Sequence, residues 1–359
     1  MSKDTKKKTS FLEVFIKNRE LGLIAILILL IAIVTLRTPA FLTGEKMLFI
    51  VEDTATMAIL AFGMMCVMLV GSIDISISGI MAFSAMAAGI IMKNNLTTTE
   101  VTQIVDGVEK IVKVRESIPL IYIILIAMAV GAGCGLVNGL IIAYGNVLPI
   151  VTTLGMQYII YGLAHIISDG QAVYKKDMSA AFTEFTRDFS ILGVNSKTWI
   201  MLLVFVVMFV FITYFRSGRH LYAVGSNPEA AEMRGINVKR SKLLAHIIMG
   251  ALAGLAGVMF ASHDNKITQD LKTGYEMYVI AACVIGGVSV TGGAGKITGV
   301  LLGALTIGVI NNGLPMLRLT GNAEFWKKLI QGALILAAVV SNAAIQRTIQ
   351  KRNLKGRNL

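Results

Sequence analysis

The sequence predicts an all-α integral membrane protein with about ten transmembrane helices. Of its 359 residues, 55% are hydrophobic and 15% are charged, and the mean hydropathy is +0.73. A soluble domain is about a quarter charged, so this composition argues against a soluble enzyme. The apolar residues form blocks of roughly 15–25, the length that crosses a hydrocarbon core of about 30 Å. The 35 glycines indicate closely packed membrane helices.

Ten apolar blocks predict one transmembrane domain over 21–343, between basic segments at 1–20 and 344–359. The first block follows a basic start, as a signal peptide does, but no small-residue cleavage site comes after it. We therefore predict a retained span. The predicted spans are 21–36, 55–72, 74–92, 118–143, 149–168, 199–215, 242–261, 276–291, 297–314 and 326–343.

The basic residues give the chain its predicted orientation. Four segments carry the excess of positive charge, and the rest of the chain carries a net −1. Ten spans place all four segments on one side, which the positive-inside rule makes cytoplasmic, together with both termini. The net charge of +12 is thus a topology signal that needs no nucleic-acid partner. The segments are 1–20 at +3, 216–242 at +4, Lys296 at +1 and 344–359 at +5.

Two long loops are predicted outside, and both are neutral overall: 93–117 and 169–198. Within the first, the alternation of apolar and polar residues over 108–114 predicts a hairpin strand. The second mixes aromatic and charged residues. We expect it to pack over the ends of the spans; a membrane-surface helix and a lid that docks a partner are the alternatives.

The sequence lacks the residue patterns that nucleotide, metal and disulfide sites require. The turn at 292–298 resembles a P-loop, but that motif would need glycine in place of Val290 and serine or threonine in place of Ile297. The four histidines show no metal-ligand spacing. The three cysteines lie in apolar blocks, which favours neither a disulfide framework nor a zinc site. We therefore expect this chain to bind no nucleotide, cofactor or metal.

Ionisable residues inside the predicted spans are few. Asp74 is the best candidate for a functional role, and His165 and His246 come next. Such residues are costly in a membrane and usually functional. Asp74 lies at a turn between two spans, where capping of the next helix is the favoured role and substrate contact the alternative. The small number argues against a secondary transporter or channel, which stays open as a different class.

The inner loop 216–242 contains the signals of a short isolated helix. Asn227 suits the N-cap and Pro228 the first helical position, and Gly235 suits the position after the C-cap. Two turns are unstable alone, so this helix must pack on its own spans or dock on a cytoplasmic partner. Docking is favoured. The predicted inserts into the partner are Ala230, Ala231 and Met233, with Glu229, Glu232 and Arg234 at the rim.

This loop resembles the coupling loop of binding-protein-dependent ABC importer permeases of the ribose and galactose type. Further stretches match that family in order, and Trp326 lies where the family has an aromatic residue before its last span. The resemblance runs from about residue 40 to 343. The matching stretches are 71–76, 137–140, 149–155, 274–276, 280–289, 292–295 and 311–314.

The resemblance implies a non-catalytic permease subunit in the bacterial cytoplasmic membrane, which imports a simple sugar such as ribose, galactose or rhamnose by alternating access. ATP and Mg would bind to separate ATPase subunits, and an external or periplasmic sugar-binding protein would deliver the sugar. A second permease copy is implied, as a homodimer or a heterodimer. Import of nucleosides or autoinducer-2 is the alternative within the class.

Polar and aromatic side chains inside the spans could contact a sugar near the dimer centre, although joining helices by hydrogen bonds is the favoured role for each one alone. Small-residue ridges at 131, 135 and 139 and at 295, 299 and 303 are expected to pack helices within one chain. The candidate path residues are Asn138, Gln157, Tyr158, Tyr161, Asn311 and Asn312.

Overall fold

The computed structural model of the chain describes residues 19–105, 108–187 and 190–317, with a few separated positions between 325 and 340. These residues form an α-helical bundle. Its helices are α1 Arg19–Arg37, α2 Gly44–Leu69, α3 Ile77–Asn94, α4 Leu120–Tyr144, α5 Pro149–Ser168, α6 Ala180–Glu184, α7 Ser196–Tyr214, α8 Arg216–Ser226, α9 Pro228–Met233, α10 Val238–Asp264, α11 Tyr275–Ile285 and α12 Ile297–Met316.

Three small antiparallel sheets lie in the segments between the helices. The longest pairs β1 (Thr97–Val105) with β2 (Val108–Glu116), which confirms the hairpin predicted in the first outer loop. β3 (Val173–Tyr174), in the second long loop, pairs with β6 (Lys266–Ile267), which lies just after α10. The third sheet pairs β4 (Ser190–Ile191) with β5 (Val194–Asn195). Met178, Phe182 and Thr186 of the second loop are buried, as expected of a loop packed over span ends.

Eight of the described helices are long and apolar enough to cross a membrane. They are α1 to α5, α7, α10 and α12. α5 has the bounds predicted for its span, whereas α2 begins eleven residues earlier than its predicted span at 55. Hydropathy detects only the apolar part of a helix, and α2 starts with a polar turn in which the Thr43 side chain accepts a hydrogen bond from the Lys46 backbone.

The predicted span 276–291 is wrong in length. The helix found there, α11, has 11 residues and is therefore about 16 Å long, roughly half of a hydrocarbon core. It stops at Gly286 and Gly287, the second with a φ of +84°, and a turn leads to α12. The predicted span 326–343 falls mostly outside the described residues. The count of ten spans and the cytoplasmic side of both termini therefore stay predictions.

The core is built around α2, in which every residue from Thr54 to Leu69 is buried. Glycines allow the neighbouring helices to touch. A Cβ on Gly131 of α4 would lie 2.2 Å from the Gly250 carbonyl oxygen of α10, and a Cβ on Gly303 of α12 would lie 2.1 Å from the Ala282 oxygen of α11. Both small-residue ridges thus contact helices of their own chain, as expected from the sequence.

The orientation can be tested with reporter fusions at positions 105, 230 and 359. We expect an external reporter signal at 105 and cytoplasmic signals at 230 and 359, because the basic segments hold the inner loops inside. A cytoplasmic signal at 105, or an external signal at either of the other positions, would contradict the assigned topology.

Candidate translocation path and coupling helix

The chain is not helical between α2 and α3, where residues 72–75 form neither helix nor strand and turn residues flank them on both sides. Polar residues alternate with isoleucines here, and Ser72, Asp74 and Ser76 are all buried. The Ile75 backbone N–H donates to Thr153 Oγ1 at 3.1 Å, so α5 satisfies part of this segment. Non-helical backbone at membrane depth is tolerated only where protein buries it or where it lines a cavity. Such breaks often lie near binding sites in transporters.

Asp74 organises a fully buried hydrogen-bond network. Its Oδ1 accepts from the Ser76 backbone N–H at 2.9 Å and from Ser76 Oγ at 2.6 Å, and its Oδ2 lies 3.2 Å from His246 Nδ1. Asn138 Nδ2 donates to Ser76 Oγ at 2.8 Å. The Asp74 carboxylate thus accepts from a backbone N–H at the start of α3, as a capping acid does, although Ser76 itself occupies the N-cap position. Through His246 and Asn138, the network also ties the segment 71–76 to α10 and α4.

A second polar cluster lies where α3, α5 and α11 meet. Ser78 Oγ donates a hydrogen bond to Glu276 Oε2, and both residues are buried. The Tyr161 hydroxyl lies 3.2 Å from Thr273 Oγ1 and close to the side chains of Gln157 and Ser78. The structure thus brings two predicted path residues, Gln157 and Tyr161, together with three that the prediction did not include.

Glu276 is the residue that sequence reasoning missed. It closes the motif at 274–276, directly before an apolar block. A lone acid at the start of an apolar block is nevertheless a signal that could have found it. Met277, the next residue in the chain, is 53% exposed, and Tyr158, three positions before Tyr161 on α5, is 71% exposed. The cluster therefore borders a face of the protomer, which we call the α5–α11 face, after Tyr158, Tyr161, Thr273 and Met277.

The other predicted path residues lie elsewhere. Asn138 belongs to the Asp74 network, so it is not on the α5–α11 face. Asn312 Nδ2 on α12 donates to Asp53 Oδ2 of α2 and to the Gly308 carbonyl oxygen, both at 2.9 Å. Asn311 precedes it on the same helix. The six residues thus fall into three groups: Gln157, Tyr158 and Tyr161 on α5, Asn311 and Asn312 on α12, and Asn138 alone on α4.

The predicted isolated helix is present as α9, with the expected caps. Asn227 Oδ1 accepts from the Ala230 backbone N–H at 3.0 Å, and Pro228 occupies the first turn. At the other end Gly235 has a φ of +77°, and the Ile236 N–H donates to the Ala231 oxygen at 3.0 Å. This is the hydrogen bond of a Schellman motif, for which glycine is the usual residue.

The exposure of α9 corrects one predicted contact. Ala231 is only 4% exposed and belongs to the main core cluster of its own chain, so it cannot insert into a partner. The short helix lies on α8 and α10 and must turn one face toward them. Met233 is 89% exposed, and Ala230, Glu229, Glu232 and Arg234 are exposed as well. These residues are free to meet a partner.

Backbone contacts join α8 to the turn before α12. A Cβ on Gly225 would lie 1.8 Å from the Leu69 oxygen and 2.5 Å from the Gly293 nitrogen, and Gly293 N–H donates to the Leu69 oxygen at 3.0 Å. The Tyr222 hydroxyl donates to the Gly295 oxygen at 2.9 Å. Burial raises the pKa of Tyr222 to about 12, so the hydroxyl keeps its proton at neutral pH. The glycine turn that resembles a P-loop is therefore a packing junction with α8.

The part of the chain that the structure describes contains no cluster of metal-ligating side chains. No three His, Cys, Asp or Glu side chains among these residues lie close enough together to hold an ion. The Asp74–His246 pair and the Ser78–Glu276 pair each have a single acid.

The broken helices, the buried polar clusters and the eight apolar helices define a multi-pass membrane transport protein. A family model described as the permease component of a branched-chain amino acid transport system matches residues 46–339. The chain belongs to this family of permease components, which makes it a protein of the bacterial cytoplasmic membrane.

Named relatives match over nearly their whole length. The chain is 34% identical to the ribose import permease protein of Escherichia coli strain K12 over 326 residues, which cover 89% of this chain and 92% of the relative. It is 32% identical to the galactose/methyl galactoside import permease protein of the same strain, with 89% and 93% covered. The ribose import permease protein of Bacillus subtilis is 33% identical, with 90% and 92% covered. No solved structure matches the chain.

Proposed function

We propose that this chain is the membrane-spanning permease subunit of an ABC importer for a simple sugar. The observation that carries the proposal is the near full-length similarity to ribose and galactose import permeases. The α5–α11 face supports it, because amide, hydroxyl and aromatic groups together suit an uncharged polyol. The chain itself is a transport component, and separate ATPase subunits bind ATP and Mg and hydrolyse the nucleotide.

The α5–α11 face lines the translocation path, with a second copy of the chain on the far side. Tyr158 and Thr273 are exposed and Tyr161 is half-buried, and their hydroxyl groups would be costly against lipid tails but suit a water-filled path. The two copies form a homodimer, or a heterodimer with a related permease. An external binding protein delivers the sugar to the outer side, where the β1–β2 hairpin and the loop 169–198 lie.

The helix α9 docks on the ATPase. It transmits the ATP-driven closure of the ATPase subunits to the membrane spans. Exposed Met233 is its apolar anchor, and charged residues surround it. A groove of about 610 Å³ lies beside α9, lined in part by Lys239 and Lys242. Motion of α9 passes to α8 and from there, through the glycine junction at Gly225 and Gly293, to the ends of α2 and α12. Access alternates as these helices shift.

Reconstitution tests this function. Proteoliposomes that hold the permease, its ATPase and its binding protein are expected to take up D-ribose or D-galactose only with ATP, while the permease alone hydrolyses no ATP. L-leucine serves as the counter-probe, because the family description names branched-chain amino acids. Uptake of leucine and of neither sugar, uptake without ATP, or stoichiometric ATP binding by the permease alone would contradict the proposal.

A further inference from the structure

We propose that Glu276 is the hydroxyl acceptor of a sugar-binding subsite on the α5–α11 face, with Gln157 and Tyr161 as its neighbours. This inference rests on the proposed function and names the residues that bind the sugar inside the membrane. Ser78 holds the Glu276 carboxylate in place. The ligand class is a neutral monosaccharide, which is bound through its hydroxyl groups.

The position of the cluster suits a substrate in transit. Gln157 is the ninth of the 20 residues of α5, near the middle of a full span. Glu276 is the second residue of α11, a helix too short to cross the membrane. A carboxylate at the start of a short helix, hydrogen-bonded to Ser78 just after the non-helical segment 71–76, resembles the way transporters build binding sites near the midplane.

The carboxylate has acceptor capacity beyond what the residues described by the structure use. An ionised carboxylate offers about four lone-pair positions, and Ser78 occupies one of them on Oε2. Glu276 is 6% exposed, yet none of the ion pairs formed by the described residues provides it with a lysine, arginine or histidine. A buried acid without a cation gains most from several strong hydrogen-bond donors. Neighbouring sugar hydroxyls supply such donors without adding charge.

The surrounding groups complete a carbohydrate site. Gln157 offers both a donor and an acceptor, and the Tyr161 hydroxyl can do the same. Tyr158 is 71% exposed, so its ring can present an aromatic surface to the apolar side of a sugar ring. A cation such as Na⁺ would be bound by carboxylate and carbonyl oxygens, and the side chains of Tyr158 and Tyr161 would add nothing to its binding. The mixture of groups therefore favours a polyol.

The first test replaces Glu276 by glutamine, which keeps the shape and removes the charge. Uptake of D-ribose or D-galactose by the reconstituted complex is expected to fall about tenfold or more, because hydrogen bonds to charged groups are stronger than those to neutral ones. Assembly with the ATPase and basal ATP hydrolysis are expected to stay unchanged. Glu52→Gln is the matched control: this carboxylate lies on α2 and accepts from the Asn195 backbone N–H at 2.9 Å, outside the Glu276 cluster.

The second test separates contact with the sugar from a structural role. Deoxy analogues of the transported sugar each lack one hydroxyl, and their uptake relative to the parent sugar is compared between wild type and Glu276→Gln. The binding protein is the same in both, so its own discrimination cancels. At least one analogue is expected to lose about tenfold in wild type and clearly less in the variant. Tyr161→Phe, at the half-buried edge, is the second variant and is expected to reduce uptake severalfold.

The outcomes are distinguishable. No sugar uptake by the wild-type complex overturns the proposed function and this inference with it. Sugar uptake by wild type that Glu276→Gln leaves unchanged overturns the inference alone. So does reduced uptake with the same discrimination among deoxy analogues as wild type, since that result is expected of a merely structural glutamate. Uptake that depends on Na⁺ through Glu276 would also overturn it.

Discussion

Replacing Met233 by arginine is expected to abolish both stable association with the ATPase and ATP-driven uptake. Met233 is 89% exposed in the last turn of α9, so its side chain contributes almost nothing to the packing of its own chain. A large exposed apolar side chain on a docking helix is the kind of anchor that fills a partner's groove. A charge buried in that groove without a partner costs several kcal/mol (about 3 or more).

The substitution is expected to leave the fold and the membrane topology of the permease unchanged. A cation in the last turn suits the helix dipole, and another positive charge in an inner loop agrees with the topology. The measurement is co-purification of the ATPase with the variant permease, together with uptake. Met233→Leu is the matched control and is expected to keep assembly. Full assembly and uptake by Met233→Arg would show that α9 is only a surface helix.

Ala231→Arg, the variant that the sequence alone would suggest, is a poorer test. Ala231 is 4% exposed inside its own chain, so arginine there would disturb α8 and α10 directly. Loss of assembly would then have two explanations. The sequence predicted the caps of α9 from Asn227, Pro228 and Gly235 because capping is local. It could not predict which face of a six-residue helix turns inward, because so short a segment carries too little periodicity.

The long spans were predictable for a similar reason. A continuous apolar block such as 149–168 is fixed by the transfer of side chains into lipid, which depends on composition alone. The same criterion failed at 276–291. Apolar residues continue past Ile285, but the helix ends at Gly286 and Gly287, and hydropathy does not distinguish a helix from a buried turn. A break inside an apolar block is a tertiary property, since neighbouring helices must satisfy its backbone.

The candidate site was only partly predictable. Gln157 and Tyr161 could be proposed because polar and aromatic residues stand out in an apolar span. The partner of Asp74, His246, lies 172 positions away in the chain, so no local pattern links them. The position of Asp74 at a turn between two spans predicted a cap for the next helix, and the Ser76 N–H does donate to its carboxylate. The pairing of Ser78 with Glu276, 198 positions apart, also required the fold.

Replacing Gly225 by alanine is expected to destabilise the permease by about 3 kcal/mol and to lower uptake per ATP hydrolysed. The new Cβ would lie 1.8 Å from the Leu69 oxygen and 2.5 Å from the Gly293 nitrogen. Both neighbours are backbone, so the junction can accept the methyl group only if α8 moves away from α2 and from the turn before α12. The hydrogen bond from Gly293 N–H to Leu69 at 3.0 Å crosses the same point.

Matched variants separate packing from coupling at this junction. Gly133→Ala on α4 is the packing control, because nothing lies within 4 Å of the added Cβ, and it is expected to leave both the thermal midpoint and uptake unchanged.

Tyr222→Phe removes only the hydroxyl that donates to the Gly295 oxygen at 2.9 Å. It is expected to keep the fold and ATPase assembly but to lower the ratio of sugar taken up to ATP hydrolysed, since α8 then holds the turn less firmly. Thermal unfolding of the purified complex and that ratio are the two measurements. A Gly225→Ala complex as stable as the Gly133→Ala complex would contradict the close contact, and an unchanged ratio in Tyr222→Phe would show that motion does not pass through this turn.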